Sequence, residues 1–121
     1  MTSSIASVPK RGEVWLVNFD PTVGSEIQKT RPAIVISSDG VGKLPVKLVV
    51  PLTEWQASFT GNIWHVRITP DSRNGLTKDS AADTLQTRSV SVDRFVSRWG
   101  AVTPVILQEI AAAIAAVVEY L

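Results

Sequence analysis

Arg31, Thr53 and Glu26 are the side chains of this chain whose types and positions suit chemistry. Glu26 lies in a polar, turn-forming run, Phe19-Asp20-Pro21-Thr22-Val23-Gly24-Ser25-Glu26-Ile27-Gln28-Lys29-Thr30. Arg31-Pro32 ends that run where the apolar stretch Ala33-Ile34-Val35-Ile36-Ser37 begins. Thr53 closes a second apolar stretch, Leu48-Val49-Val50-Pro51-Leu52. Arginine presents a planar fork of donors that matches two phosphate oxygens, and threonine adds one more donor. A nearby carboxylate can accept a proton or orient the arginine. Together the three suit a phosphodiester. The plainer readings are a solvated arginine at a strand start, a turn threonine, and a glutamate that keeps a loop soluble.

These residues need strands whose ends meet. Glu13 to Phe19 reads as a first strand, closed by Asp20-Pro21. Arg31 to Ser37 reads as a second, with Pro32 tolerated only at its start. Asp39-Gly40 and Gly42 mark the next turn. Lys47 to Thr53 is a third strand, in which Pro51 predicts an edge or a bulge. Asn62 to Thr69 alternates well, a short strand lies within Asp83 to Val92, and a last one is expected at Ala101-Val102. Thr103-Pro104 is a helix start, with Thr as N-cap and Pro in the first turn. The helix predicted from Pro104 to Leu121 is apolar on more than one side, so it must be covered on more than one side. The pattern predicts a mainly β chain: a small barrel with a terminal helix packed on it. Residues 1–9 read as a loose tail and 10–121 as one domain.

Composition narrows the function classes. The chain has 121 residues, enough for one domain with a modest core. Twelve Lys and Arg stand against eleven Asp and Glu, so any nucleic-acid binding must rest on a local basic patch. The absence of Cys excludes disulfides, thiol catalysis and Cys-ligated zinc, and fits a reducing cytoplasm. With His65 the only histidine, no histidine metal cluster is expected. Met1 to Val8 has neither the basic start nor the apolar run of a secretory signal. The longest apolar stretch, Ile110 to Val118, is shorter than the roughly 20 residues of a membrane span.

From about Lys10 to Leu121 the chain resembles the MazF/PemK family of toxin endoribonucleases. The motifs that carry the resemblance run in order. They are Gly12-Glu13-Val14-Trp15, Phe19-Asp20-Pro21-Thr22 with Gly24-Ser25-Glu26, Arg31-Pro32-Ala33-Ile34-Val35-Ile36-Ser37, and Pro51-Leu52-Thr53. Gly75-Leu76, Asp79-Ser80, Gln86, Arg88 and Arg94 follow. The resemblance implies an SH3-like barrel with added helices, a homodimer, no cofactor and no metal. It implies cleavage of single-stranded RNA at short sequences, and restraint by a cognate MazE-like antitoxin. Arg31 and Thr53 match the family's catalytic positions, and Glu26 matches that of part of the family. Many members carry an acid at the position held here by Ser91, with Asp93 two residues later.

RNA can be cut by its own 2′-OH, given a base for the 2′ proton, an acid for the leaving 5′ oxygen and donors for the charged transition state. In this scheme Arg31 stabilises charge, although it yields a proton reluctantly. Thr53 holds a non-bridging oxygen, and Glu26 acts as base or orients Arg31, with Asp93 next in line. The candidate RNA contacts are Lys29, Thr30, Ser37, Trp55, Lys78 and Arg88. Lys43, Lys47 and Arg73 either join such a groove or belong to a scattered solvated face. Trp15, Phe59 and Trp64 are stacking candidates against the default of aromatic core. His65 reads as a strand residue before it reads as a general acid. Two other functions compete: a non-enzymatic, gyrase-binding toxin of the same fold, and a catalytically silent homologue that only binds antitoxin. The gyrase-binding group typically ends in Trp-Gly-Ile, whereas this chain ends in Glu119-Tyr120-Leu121.

Overall fold

The computed structural model describes residues 8–41 and 44–120. The expected tail through residue 7, the turn at Gly42, the groove candidate Lys43 and the helix end at Leu121 lie outside the described residues. Pro9 is already buried, so the folded body begins within the stretch read as tail.

Seven strands form one antiparallel sheet. They are β1 (Glu13–Asn18), β2 (Thr30–Val35), β3 (Val46–Glu54), β4 (His65–Ile68), β5 (Ser80–Asp83), β6 (Arg88–Ser91) and β7 (Phe95–Ala101), followed by the helix α1 (Pro104–Val117). The ladder runs β4-β5-β3-β2-β1-β7, with β6 also paired to β3. Among the described residues β4 and β7 do not pair, so the sheet stays open where closure into a barrel was expected. The mainly β chain with its terminal helix is as the sequence predicts.

The long strand β3 organises the rest. One of its edges meets β2. Its other edge meets β6 through Val46 to Val49 and β5 through Leu52 to Glu54. Pro51 falls in the interval between β6 and β5. The Leu48 carbonyl accepts from Ile36 N–H on the β2 side, so by alternation Pro51 turns its nitrogen away from β2 into that interval. No ladder bond is lost, and the proline sits mid-strand without the edge or bulge it predicts.

Alternation divides the apolar residues between two faces. Val14, Ile34, Val50 and Leu52 join Val66, Ile68, Ala82 and the α1 residues Leu107, Ile110 and Ala113 in one core. Trp15, Val17, Phe19, Ala33, Val35, Val49 and Val90 form the other. The helix starts where Thr103 Oγ1 accepts from Ile106 N–H, which satisfies one of the free donors of the first turn. Among the described residues no helix is long and apolar enough to cross a membrane.

Two backbone segments cross at Gly75 and Gly100. A Cβ at Gly75, where φ is +71°, would overlap the Trp99 carbonyl, and one at Gly100 would overlap the Arg73 carbonyl. Ala101 N–H donates to that same Arg73 carbonyl at 2.9 Å. This crossing pins the 71–78 segment to the end of β7, beside the start of β2 and the end of β3.

Candidate functional site

The β2–β3 register pairs Val35 with Val49 and Ala33 with Pro51. Continued by two residues, it sets Arg31 opposite Thr53 on one face of the sheet. Both are half-buried and line a cavity of about 210 Å³ with Pro32, Glu54, Lys78 and Trp99. Arg31 Nε donates to the Gln28 carbonyl at 3.0 Å, which fixes the guanidinium by its inner nitrogen. Its two terminal nitrogens make no hydrogen bond among the described residues. Lys78 Nζ lies 3.5 Å from Glu54 Oε1, and both side chains are well exposed. The cavity thus gathers a guanidinium, an ammonium, a hydroxyl and a carboxylate, which is the equipment for holding an anionic diester and moving a proton.

Glu26 is placed elsewhere. With Arg88, Phe19, Pro51 and Gln86 it lines a separate, neighbouring cavity of about 560 Å³. Its carboxylate accepts from Val23 N–H at 2.7 Å, closing the loop on itself. Gln86 grips this loop on both sides of Glu26: Nε2 donates to the Ser25 carbonyl and Oε1 accepts from Ile27 N–H, each at 3.0 Å. Arg88 leans over the Phe19 ring, 5.6 Å from its centroid. Pro51 lines this cavity and its strand neighbour Leu52 lines the other, so the two cavities flank the same end of β3.

The remaining candidates divide. Lys29 and Thr30 are exposed where the loop enters β2, and the Lys29 backbone, at φ 70°, donates to Asp20 Oδ1 and accepts from Phe19 N–H. Trp55 lies just beyond Thr53, edge-on to Phe59. Ser37 is not brought to the site. It follows the far end of β2, about 20 Å from Arg31 at the strand rise, and its Oγ accepts from Leu48 N–H. Asp93 does not continue a strand either. It sits in a one-turn helix, Val92–Arg94, capped by Ser91 Oγ, and lines a third cavity with Trp15, Lys47 and Arg98. Ser91 therefore caps a turn at the position where the resemblance leads one to expect an acid. Trp15 is buried core, packed edge-on against Phe95.

Glu54, Thr77 and Trp99 are the cavity residues that the sequence reading omits, and Ser80 enters that reading only within a family motif. Adjacency to Thr53 was the available signal for Glu54. Ser80 and Trp99 come from strands far off in the chain. Among the described residues no group of three or more His, Asp or Glu converges as a metal site would require.

Comparison with known proteins bears on the same residues. Residues 10–118 match the family model described as PemK-like, MazF-like toxin of type II toxin-antitoxin system. The chain is 32% identical over 101 residues to the endoribonuclease MazF9 of Mycobacterium tuberculosis, covering 78% of this chain and 82% of that protein. It is 49% identical to the endoribonuclease PemK of Escherichia coli over a shorter stretch of 47 residues, 36% of this chain and 34% of that one. Its fold matches the crystal structure of MazF from Deinococcus radiodurans with a TM-score of 0.75 at 21% identity, covering 93% of this chain and 98% of that one. A mycobacterial endoribonuclease solved in complex with its cognate antitoxin matches with a TM-score of 0.72 at 18% identity, covering 93% and 97%. This chain belongs to the PemK-like, MazF-like toxins of type II toxin–antitoxin systems.

Proposed function

We propose that this chain cuts single-stranded RNA without metal, at short specific sequences, by attack of the 2′-OH on the adjacent phosphorus. The observation that carries the reading is the cross-strand placement of Arg31 and Thr53 on one face, lining one cavity with Lys78 and Glu54. Arg31 binds the non-bridging oxygens with its terminal nitrogens, and its grip tightens as charge develops there. Thr53 donates to the same phosphate. Glu54 is the carboxylate within the cavity and takes the 2′ proton, with Lys78 3.5 Å from its Oε1. Glu26, fixed on its loop by Gln86, shapes the neighbouring cavity through which the strand continues. The P–O5′ bond breaks as the 5′ oxygen takes a proton from solvent, giving a 2′,3′-cyclic phosphate and a 5′-OH.

As a member of its toxin family the protein acts as a homodimer in the cytoplasm and is silenced by a cognate antitoxin. The mycobacterial complex supports the antitoxin part of this reading, and the curated relatives named endoribonucleases support the nuclease. A gyrase-binding toxin has no need for Arg31 and Thr53 to meet in a cavity.

The test is digestion of a long single-stranded RNA in EDTA. Wild type is expected to cut at discrete sites and to leave cyclic phosphate ends. Arg31→Ala is expected to lose about 10²–10³ in rate, the effect of removing one charge-stabilising donor, with its circular dichroism unchanged. Abolition of wild-type cleavage by EDTA, or full activity in Arg31→Ala, would overturn the assignment.

A further inference from the structure

Beyond the cavity, the register carries the same face further across the sheet. Thr53 pairs with Ala81 on β5, and Ala81 with Arg67 on β4. Arg31, Thr53, Ala81 and Arg67 therefore form one cross-strand row. Ala81 is fully buried and bears only a methyl, so this row position itself raises no tall side chain between Thr53 and Arg67. Two strand spacings put the Arg67 backbone about 10 Å from that of Thr53.

The Arg67 side chain is held as a plane. Its guanidinium carbon lies 5.1 Å from the centroid of the Trp55 ring. Its NH2 nitrogen donates to Asp79 Oδ2 at 2.5 Å. Trp55 is braced in turn: Phe59 meets it edge-on at 5.7 Å, and Phe59 stacks on His65 at 3.9 Å between centroids and 13° between planes. The His65 side chain is only 7% exposed and anchors the stack, whereas that of Arg67 remains 54% exposed. An arginine that is stacked, paired and still open to solvent has lost its freedom before any ligand arrives.

We propose that Arg67, laid on Trp55 and keyed by Asp79, is a stacking platform for one base of the RNA strand bound across Arg31 and Thr53. This rests on the endoribonuclease reading above. The ligand part is a base rather than a phosphate, because Asp79 already neutralises the guanidinium and would repel a second anion beside it. Guanidinium planes are accepted stacking partners for unpaired bases. The platform would favour one position relative to the cut without reading a hydrogen-bonding edge.

The test uses the full chain and a short single-stranded RNA containing one site mapped from the long-RNA digest. A matched series replaces each nucleotide flanking the cut, one at a time, with an abasic residue. Arg67→Ala is expected to raise KM by about 5- to 150-fold, the range for one stacked base, with kcat nearly unchanged. Arg67→Lys keeps the charge and loses the plane, and is expected to behave like Arg67→Ala. One abasic position should weaken cleavage by wild type and have no further effect on either variant. Cleavage by Arg67→Lys at the wild-type KM, or an abasic profile identical in wild type and variants, would overturn the platform. Should Arg67→Ala fail to fold, Arg67→Lys with the abasic series on wild type decides alone. Failure of wild type to cut the intact RNA would overturn the endoribonuclease reading and the platform with it.

Discussion

Glu26 and Glu54 line two neighbouring cavities where a single carboxylate, Glu26, was expected beside Arg31. Glu54 shares the cavity of Arg31 and Thr53, while Glu26 is turned toward its own loop. Glu54→Gln is therefore expected to lower kcat by about 10²-fold or more. Glu26→Gln is expected to raise KM with kcat largely kept. Steady-state kinetics across pH decides: full activity in Glu54→Gln would return the role of base to Glu26. Arg31 and Thr53 were legible in the sequence because each stands at the junction of a polar segment and an apolar strand. Ser80 and Trp99 were not, because only the folded register brings β5 and β7 to the same cavity. Ser37 misled for the opposite reason. It belongs to the same motif as Arg31, but a strand carries the two ends of a motif apart.

The strands show which local signals survive folding. The helix start was plain, since Thr103 and Pro104 act through the first turn alone. β5 was missed because Ser80-Ala81-Ala82-Asp83 contains no β-branched or aromatic residue; it pairs because it is buried between β3 and β4. β7 is longer than expected, running from Phe95, and its joint to β1 is reinforced by a half-buried carboxylate. Glu13 Oε1 accepts from Trp15 Nε1 and Lys10 N–H, and Oε2 accepts from Arg98 Nε at 2.7 Å. Burial opposes ionisation of Glu13, but the hydrogen bonds from Trp15, Arg98 and Lys10 outweigh it and set its pKa below the ordinary value. With the folded value depressed, the unfolded chain binds the proton first. The stabilisation is present above about pH 4.3, the ordinary carboxylate value, and is lost as pH falls through the folded value. Glu13→Gln should lower stability near pH 7 by about 1.5–3 kcal/mol, the worth of a hydrogen bond to a charged group. The deficit should shrink toward zero in acid. Urea melts of both proteins between pH 7 and pH 3 measure it, and a gap that does not close on acidification would contradict the assignment.

At the scale of the molecule, α1 has more apolar surface than its own sheet can cover. Leu107, Ile110 and Ala113 face the core, with Ile106 and Ile114 partly buried against it. Val105 and Val118 remain 63% and 66% exposed, and Tyr120 is exposed beyond the helix. Val118 and Tyr120, two residues apart at the end of α1, are the apolar pair that a two-fold partner would cover. Val118→Glu is expected to convert a dimer to a monomer with the fold retained, as read by sedimentation equilibrium at tens of micromolar and by circular dichroism. Ile114→Glu is a poorer probe, because it would also place a charge against the chain's own core. A wild-type monomer at that concentration would refute the dimer, and an intact Val118→Glu dimer would move the interface to the strands.

The crossing at Gly75 and Gly100 limits how such a nuclease could be retargeted. Hydrogen is the only side chain that either position admits, so the crossing that sets Leu76 and Trp99 in the wall of the Arg31 and Thr53 cavity has no intermediate settings for a mutational series to explore. Recognition can drift in small steps only where walls are made of side chains, at Thr77 on one rim and at the Glu26 loop on the other. A randomised library aimed at a new cut sequence should therefore hold both glycines fixed and diversify those rims, leaving the cleavage chemistry untouched while the reading of sequence changes around it.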